Sequence, residues 1–132
     1  MKTKKLAAPI IKQAVFIIFL LFFLVPAKVV AHATLVKSDP PRRASLSEAP
    51  KSVQLWFNEE IEGSYASISV LDSDDNSITD EKPESVPEDL KSVVLALPEI
   101  GPGSYTVNYR VLSVDGHVVE SNYNFRVKNI SQ

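Results

Sequence analysis

Two histidines stand in this 132-residue chain, His32 and His117, and there is no cysteine. Asp115 lies two residues before the second, in Asp115-Gly116-His117. Three further carboxylates, Glu59, Glu60 and Glu62, follow the apolar stretch that ends at Phe57. Imidazole and carboxylate are ligands for borderline and hard metal ions. Without thiolate there is no disulfide, no thiolate metal site, no iron–sulfur cluster and no cysteine nucleophile. Nucleophile elbows, phosphate-cradling glycine loops and His-Glu-x-x-His are absent as well. Each acidic feature also has a local account. Asp-Gly suits a two-residue type I′ hairpin turn on backbone grounds alone, and carboxylates after a strand are commonly solvated loop.

His32 is distinguished by where it stands. Lys2, Lys4 and Lys5 open the chain, Ala14–Val25 is an unbroken apolar run, Pro26 ends it, and Val29-Val30-Ala31 follows. This is the layout of a secretory signal peptide cut after Ala31. A spanning helix needs about 20 apolar residues, so the expectation is cleavage and export, with no stable membrane insertion afterwards. Residues 1–31 are then the signal peptide, and residues 32–132 the exported domain with His32 at its N-terminus. A terminal histidine is a chelator, because its free α-amine and ring Nδ1 can close a six-membered ring on one ion. The amine has an ordinary pKa of about 8, so a Lewis-acidic metal can displace its proton at neutral pH. Two imidazoles, an amine and one or two carboxylates form a nitrogen- and oxygen-donor set that suits Cu(II), with Zn(II) the competitor. The exported domain has no methionine, so a dedicated Cu(I) site is not expected.

Charge is divided unevenly. Residues 1–31 carry five of the 14 basic residues and no acid, so residues 32–132 hold nine basic and 16 acidic side chains, a formal −7. Such a domain lacks the basic face that nucleic acid requires. Its length supports one domain with a modest core.

Short β-rich runs separated by turn residues must position these groups. Strands are expected at Ala33–Lys37, Ser52–Phe57, Ser64–Leu71, Ser92–Leu97, Ser104–Val114 and Val118–Val127, with an edge strand plus loop within Ile78–Asp89 and a loop from Asp39 to Pro50. Alternation places Val53, Leu55 and Phe57 on one face of their strand, and Tyr105, Val107, Tyr109 and Val111 on one face of theirs. The expected core is Leu55, Phe57, Ile68, Leu95, Tyr105, Tyr109, Tyr123 and Phe125, in two packed antiparallel sheets of about seven strands.

Three blocks together resemble the periplasmic copper-resistance CopC family. They are His-Ala-x-Leu-x-x-Ser-x-Pro at His32–Pro40, Ala-Pro-x-x-Val-x-Leu-x-Phe-x-Glu-x-Ile-Glu at Ala49–Glu62, and Gly-x-Tyr-x-Val-x-Tyr-Arg-Val-x-Ser-x-Asp-Gly-His at Gly103–His117. The resemblance implies an all-β, seven-stranded, Ig-like Greek-key β-sandwich in the periplasm that binds one Cu(II) per chain. Carried over by motif, the ligands are His32, Glu59, Asp115 and His117, with Glu59 preferred to Glu60 because it completes Phe57-Asn58-Glu59. The chain departs from the family in three places. Val118, Val119, Glu120 and Ser121 stand where His-Pro and Gly often follow the turn. Pro41-Arg42-Arg43 replaces a glycine-containing turn. The methionine-rich Cu(I) loop of some relatives is missing.

The resulting expectation is a non-enzymatic, monomeric Cu(II) carrier or sequestering agent. It would hand copper to an inner-membrane copper transporter or keep the ion away from the envelope. Two other classes compete. A terminal histidine with a second imidazole also describes a small copper-dependent monooxygenase, although 101 residues leave little room for a broad substrate face. A metal-free Ig-like interaction module would make His32 incidental.

Overall fold

The computed structural model describes residues 7–22 and 32–130, and the chain divides into units 1–31 and 32–132. In the first unit, α1 (Ala7–Phe22) is a helix that is apolar apart from Lys12 and Gln13, with Ile10, Ile11, Phe16 and Ile17 exposed. Among the described residues no helix is long and apolar enough to cross a membrane. Lys2, Lys4, Lys5 and the expected cut after Ala31 lie outside the described residues.

The second unit is a sandwich of two four-stranded sheets. The strands are β1 (Leu35–Asp39), β2 (Ser45–Leu46), β3 (Ser52–Phe57), β4 (Ser67–Leu71), β5 (Glu84–Val86), β6 (Asp89–Ala96), β7 (Gly103–Leu112) and β8 (Val118–Val127). One sheet runs β1-β3-β6-β5 and the other β2-β8-β7-β4. Strict alternation makes β3 the centre of the first sheet: Val53, Leu55 and Phe57 are buried while the residues between them are half-buried. β7 and β8 form a ten-residue hairpin in register from Gly103 opposite Val127 to Leu112 opposite Val118. Its inward rings meet in pairs. Tyr105 stacks on Phe125 with centroids 5.3 Å apart, and Tyr109 meets Phe57 of the other sheet edge-on at 5.9 Å. The Tyr105 hydroxyl donates to Gly101 O at 2.7 Å, pinning the loop that enters β7. All eight expected core residues are buried. Trp56 turns to the outer face, where Lys37 Nζ lies 4.4 Å from its ring centroid.

Several details differ from the sequence expectation. β1 runs Leu35–Asp39 rather than Ala33–Lys37, β6 begins at Asp89 rather than Ser92, and β7 ends at Leu112 rather than Val114. The loop between Asp39 and Pro50 contains β2, an eighth strand of two residues that pairs parallel with β8, Ser45 opposite Arg126 and Leu46 opposite Val127. One pairing is therefore parallel. Residues 63–65 wind into a 3-10 turn, so β4 starts at Ser67 rather than Ser64. Gly63 is required there, since a Cβ would stand 2.9 Å from Ser85 Cβ. The edge strand within Ile78–Asp89 shortens to Glu84–Val86, between Pro83 and Pro87, neither of which can donate to a ladder.

Candidate metal centre

Three chain segments meet at one end of the sandwich. The first is the stretch leading into β1. Ala33 is buried in the core, Thr34 N–H donates to Asn58 Oδ1 at 2.6 Å, and Asn58 N–H donates back to Thr34 O at 3.0 Å. The Thr34 hydroxyl donates to His32 O at 3.2 Å. His32 is exposed, but the backbone behind it is held. The second segment follows β3. Buried Ile61 donates its N–H to Leu90 O of the first sheet at 3.1 Å, and Glu62 N–H donates to Leu112 O of the second at 2.8 Å. This stretch therefore ties the two sheets together. The third segment is the β7–β8 turn, reached through Val114 N–H donating to Glu60 O at 3.2 Å.

That turn differs from the two-residue type I′ expectation. Ser113 N–H donates to His117 O at 2.9 Å, and Gly116 N–H to Ser113 O at 2.9 Å. Within the turn only Gly116 has positive φ, at 92°. The loop is thus three residues, Val114 to Gly116, closed by a left-handed glycine. The extra residue brings the Asp115 carboxylate back over His117.

The geometry brings three of the four expected side chains together. His117 Nδ1 lies 3.0 Å from Asp115 Oδ1, and the His32 and His117 rings stand perpendicular with centroids 5.0 Å apart. Ser113 donates its hydroxyl to the same Asp115 oxygen. That hydrogen bond, followed by the one from His117, holds the Asp115 carboxyl below its ordinary value of 3.8. An ionised carboxylate can only accept, so Nδ1 of His117 carries a proton, and in the neutral ring the lone pair is then on Nε2. This is the carboxylate–histidine arrangement that orients metal-binding imidazoles. With metal–nitrogen bonds of about 2 Å, two imidazoles at right angles around one ion have centroids roughly 4.5 Å apart, close to the observed spacing.

Glu59 occupies the second segment, and no contact joins it to the histidines. Its Oε1 is buried without a hydrogen-bond partner, the condition of an acceptor awaiting a proton or a cation. Glu60 is exposed. Among the described residues, no three His, Asp or Glu side chains stand as a ready-made metal cluster. What the arrangement offers is two imidazoles with one oriented by a carboxylate, an orphaned carboxylate oxygen on the segment after β3, and only nitrogen and oxygen donors. Two residues that matter to this geometry were not singled out by sequence, Asn58 and Ser113. Their signal is position, a short polar side chain directly after a strand, where it can cap or cross-link backbone.

Comparison with known proteins follows the same lines. The CopC domain model matches residues 35–128. The solved CopC of Methylosinus trichosporium OB3b is 37% identical, covering 76% of this chain and 98% of its own, with a TM-score of 0.72. PcoC, a methionine-rich copper resistance protein from Escherichia coli, is 28% identical over 74% of this chain and all of its own, with a TM-score of 0.66. The copper transport protein CutJ of Bacillus subtilis is 33% identical over 77% of this chain but only 19% of its own length. The match takes in the whole sandwich from β1 to the end of β8 and carries copper-related relatives with it: this chain belongs to the CopC family.

Proposed function

We propose that this chain is a periplasmic Cu(II)-binding protein without catalytic activity, released by a cut after Ala31. The terminal amine and ring of His32, His117 Nε2 and the Glu59 carboxylate hold one ion per chain, while Asp115, which the motif offers as a ligand, stands behind His117 on Nδ1 and orients its ring. The observation that carries this reading is the perpendicular pairing of His32 with His117 at 5.0 Å, beside an Asp115 carboxylate that fixes one of the two rings. Nitrogen-rich sites of this kind favour Cu(II), which heads the divalent affinity order. With Met1 removed, thioether and thiolate ligands are absent, so Cu(I) should bind weakly. Copper held at an exposed end of a small sandwich can be passed on or stored. The relation to CutJ, where the matched region is a fifth of a longer copper transport protein, supports delivery to an inner-membrane transporter.

Intact mass of the exported protein with and without Cu(II) tests the reading. The expected masses are those of residues 32–132 alone and with a single copper. Residues retained ahead of His32, or no copper adduct, would contradict it.

A further inference from the structure

Ser113 directly follows β7 at 1% exposure, and its hydroxyl touches both members of the Asp115–His117 pair. The O–H donates to Asp115 Oδ1, and Oγ accepts the His117 main-chain N–H at 3.2 Å. His117 O also lies 3.3 Å from Oγ, but a hydroxyl has one hydrogen and a charged acceptor is the stronger partner. Oδ1 of Asp115 therefore takes two donors, Ser113 Oγ and His117 Nδ1. Closing the turn does not need this hydroxyl. The main-chain bonds from Ser113 N to His117 O and from Gly116 N to Ser113 O already do so. Burying a hydroxyl also costs more than burying a methyl group at the same place.

We infer that Ser113 is a positioning residue: its buried hydroxyl fixes the Asp115 carboxylate, and through it the Nδ1–H tautomer of His117, so that Nε2 faces the metal. A carboxylate freed from Ser113 can rotate about its χ angles. The imidazole then divides between its two tautomers, and only one of them offers copper the outward lone pair. The inference rests on the copper reading above, and its test separates the two.

Ring nitrogen spectra of metal-free protein, at a pH where the imidazole is neutral, report the tautomer directly. Wild type should show His117 as Nδ1–H, and Ser113→Ala should show a mixture. Cu(II) affinity of Ser113→Ala should fall about 10- to 100-fold, the usual loss when a group behind a metal ligand is removed. Ser113→Thr restores the hydroxyl and should restore both readouts; thermal melting checks that its added methyl is accommodated. If it is not, the tautomer shift in Ser113→Ala still decides the matter. An unchanged tautomer in Ser113→Ala overturns the inference, whether or not affinity falls, because the loss would then be structural. A tautomer shift in a protein that binds no Cu(II) supports the positioning role and overturns the copper reading instead.

Discussion

Asn58→Ala should weaken copper binding while leaving the sandwich folded. The side chain accepts one hydrogen bond, from Thr34 N–H at 2.6 Å, at an exposed position. A neutral bond of this kind contributes about 0.5–1.5 kcal/mol net, so unfolding free energy should drop by no more than about 1.5 kcal/mol. Ala33 remains buried and Asn58 N–H still donates to Thr34 O, so β1 keeps its place. The segment ahead of them loses its clamp. Fixing one residue's backbone costs about 1–2 kcal/mol, and in the variant the metal itself must order His32. At 1.4 kcal/mol per factor of ten, Cu(II) affinity should fall about tenfold. Competition against a chelator of known affinity gives the first number and thermal denaturation without metal gives the second. Asn58→Asp, which keeps an acceptor in place, should bind as tightly as wild type or tighter. Wild-type affinity in Asn58→Ala would mean that the terminus is not preorganised by this contact. A stability loss above about 3 kcal/mol would mean that Asn58 is part of the framework.

Substitution at the site should give an order. His117→Ala should lose the most Cu(II) affinity, Asp115→Ala less and Glu59→Ala least, with all three folded by circular dichroism; equal affinity in wild type and His117→Ala would exclude the site. Glu59→Gln should bind copper more weakly yet melt no lower than wild type without metal, because it removes the charge from a half-buried side chain whose buried Oε1 has no partner. Metal choice should favour Cu(II) over Zn(II), and tight Cu(I) binding under reducing conditions would show that the donor set has been misjudged. Alkaline stability should depend on Tyr123. Burial pushes its hydroxyl up to about 12, and Ser38 stands beside it without closing a hydrogen bond. Above the ordinary tyrosine value of 10.0 the unfolded chain releases this proton first, so stability present below that pH is lost as pH rises towards 12. Tyr123→Phe should abolish that component of the alkaline melt, and an unchanged pH profile would refute the assignment.

The fold was legible wherever apolar residues alternate. Val53, Leu55 and Phe57 in β3, and Tyr105 to Val111 in β7, face inward as their period of two dictates. β2 was not legible. Two residues between Pro41 and Pro50 carry no period, and what makes them a strand is the long-range parallel pairing with β8. The turn was half legible. Asp115-Gly116 marked a hairpin, but the Ser113–His117 closure decides that three residues, not two, form the loop. For the site, the residue types were readable and their meeting was not. His32, Asn58 and His117 are brought together by backbone bonds between Thr34 and Asn58 and between Glu60 and Val114, and no local pattern encodes such contacts. Ser113 looked like any strand-end serine, and only its burial shows that its hydroxyl is held against Asp115.

The central claim is that the amine of His32 is a copper ligand, and one added residue tests it. The comparison is between protein beginning at His32 and the same protein with a glycine ahead of it. The extension keeps both rings, both carboxylates and the net charge, and turns the His32 nitrogen into an amide, which binds metal only by losing its proton. A preformed chelate ring carries an entropic advantage that separate ligands lack. Cu(II) affinity, measured by competition across a range of pH, is predicted to fall by several orders of magnitude, with a changed pH dependence because a different proton must leave. Equal affinity and equal pH dependence in the two forms would contradict the account.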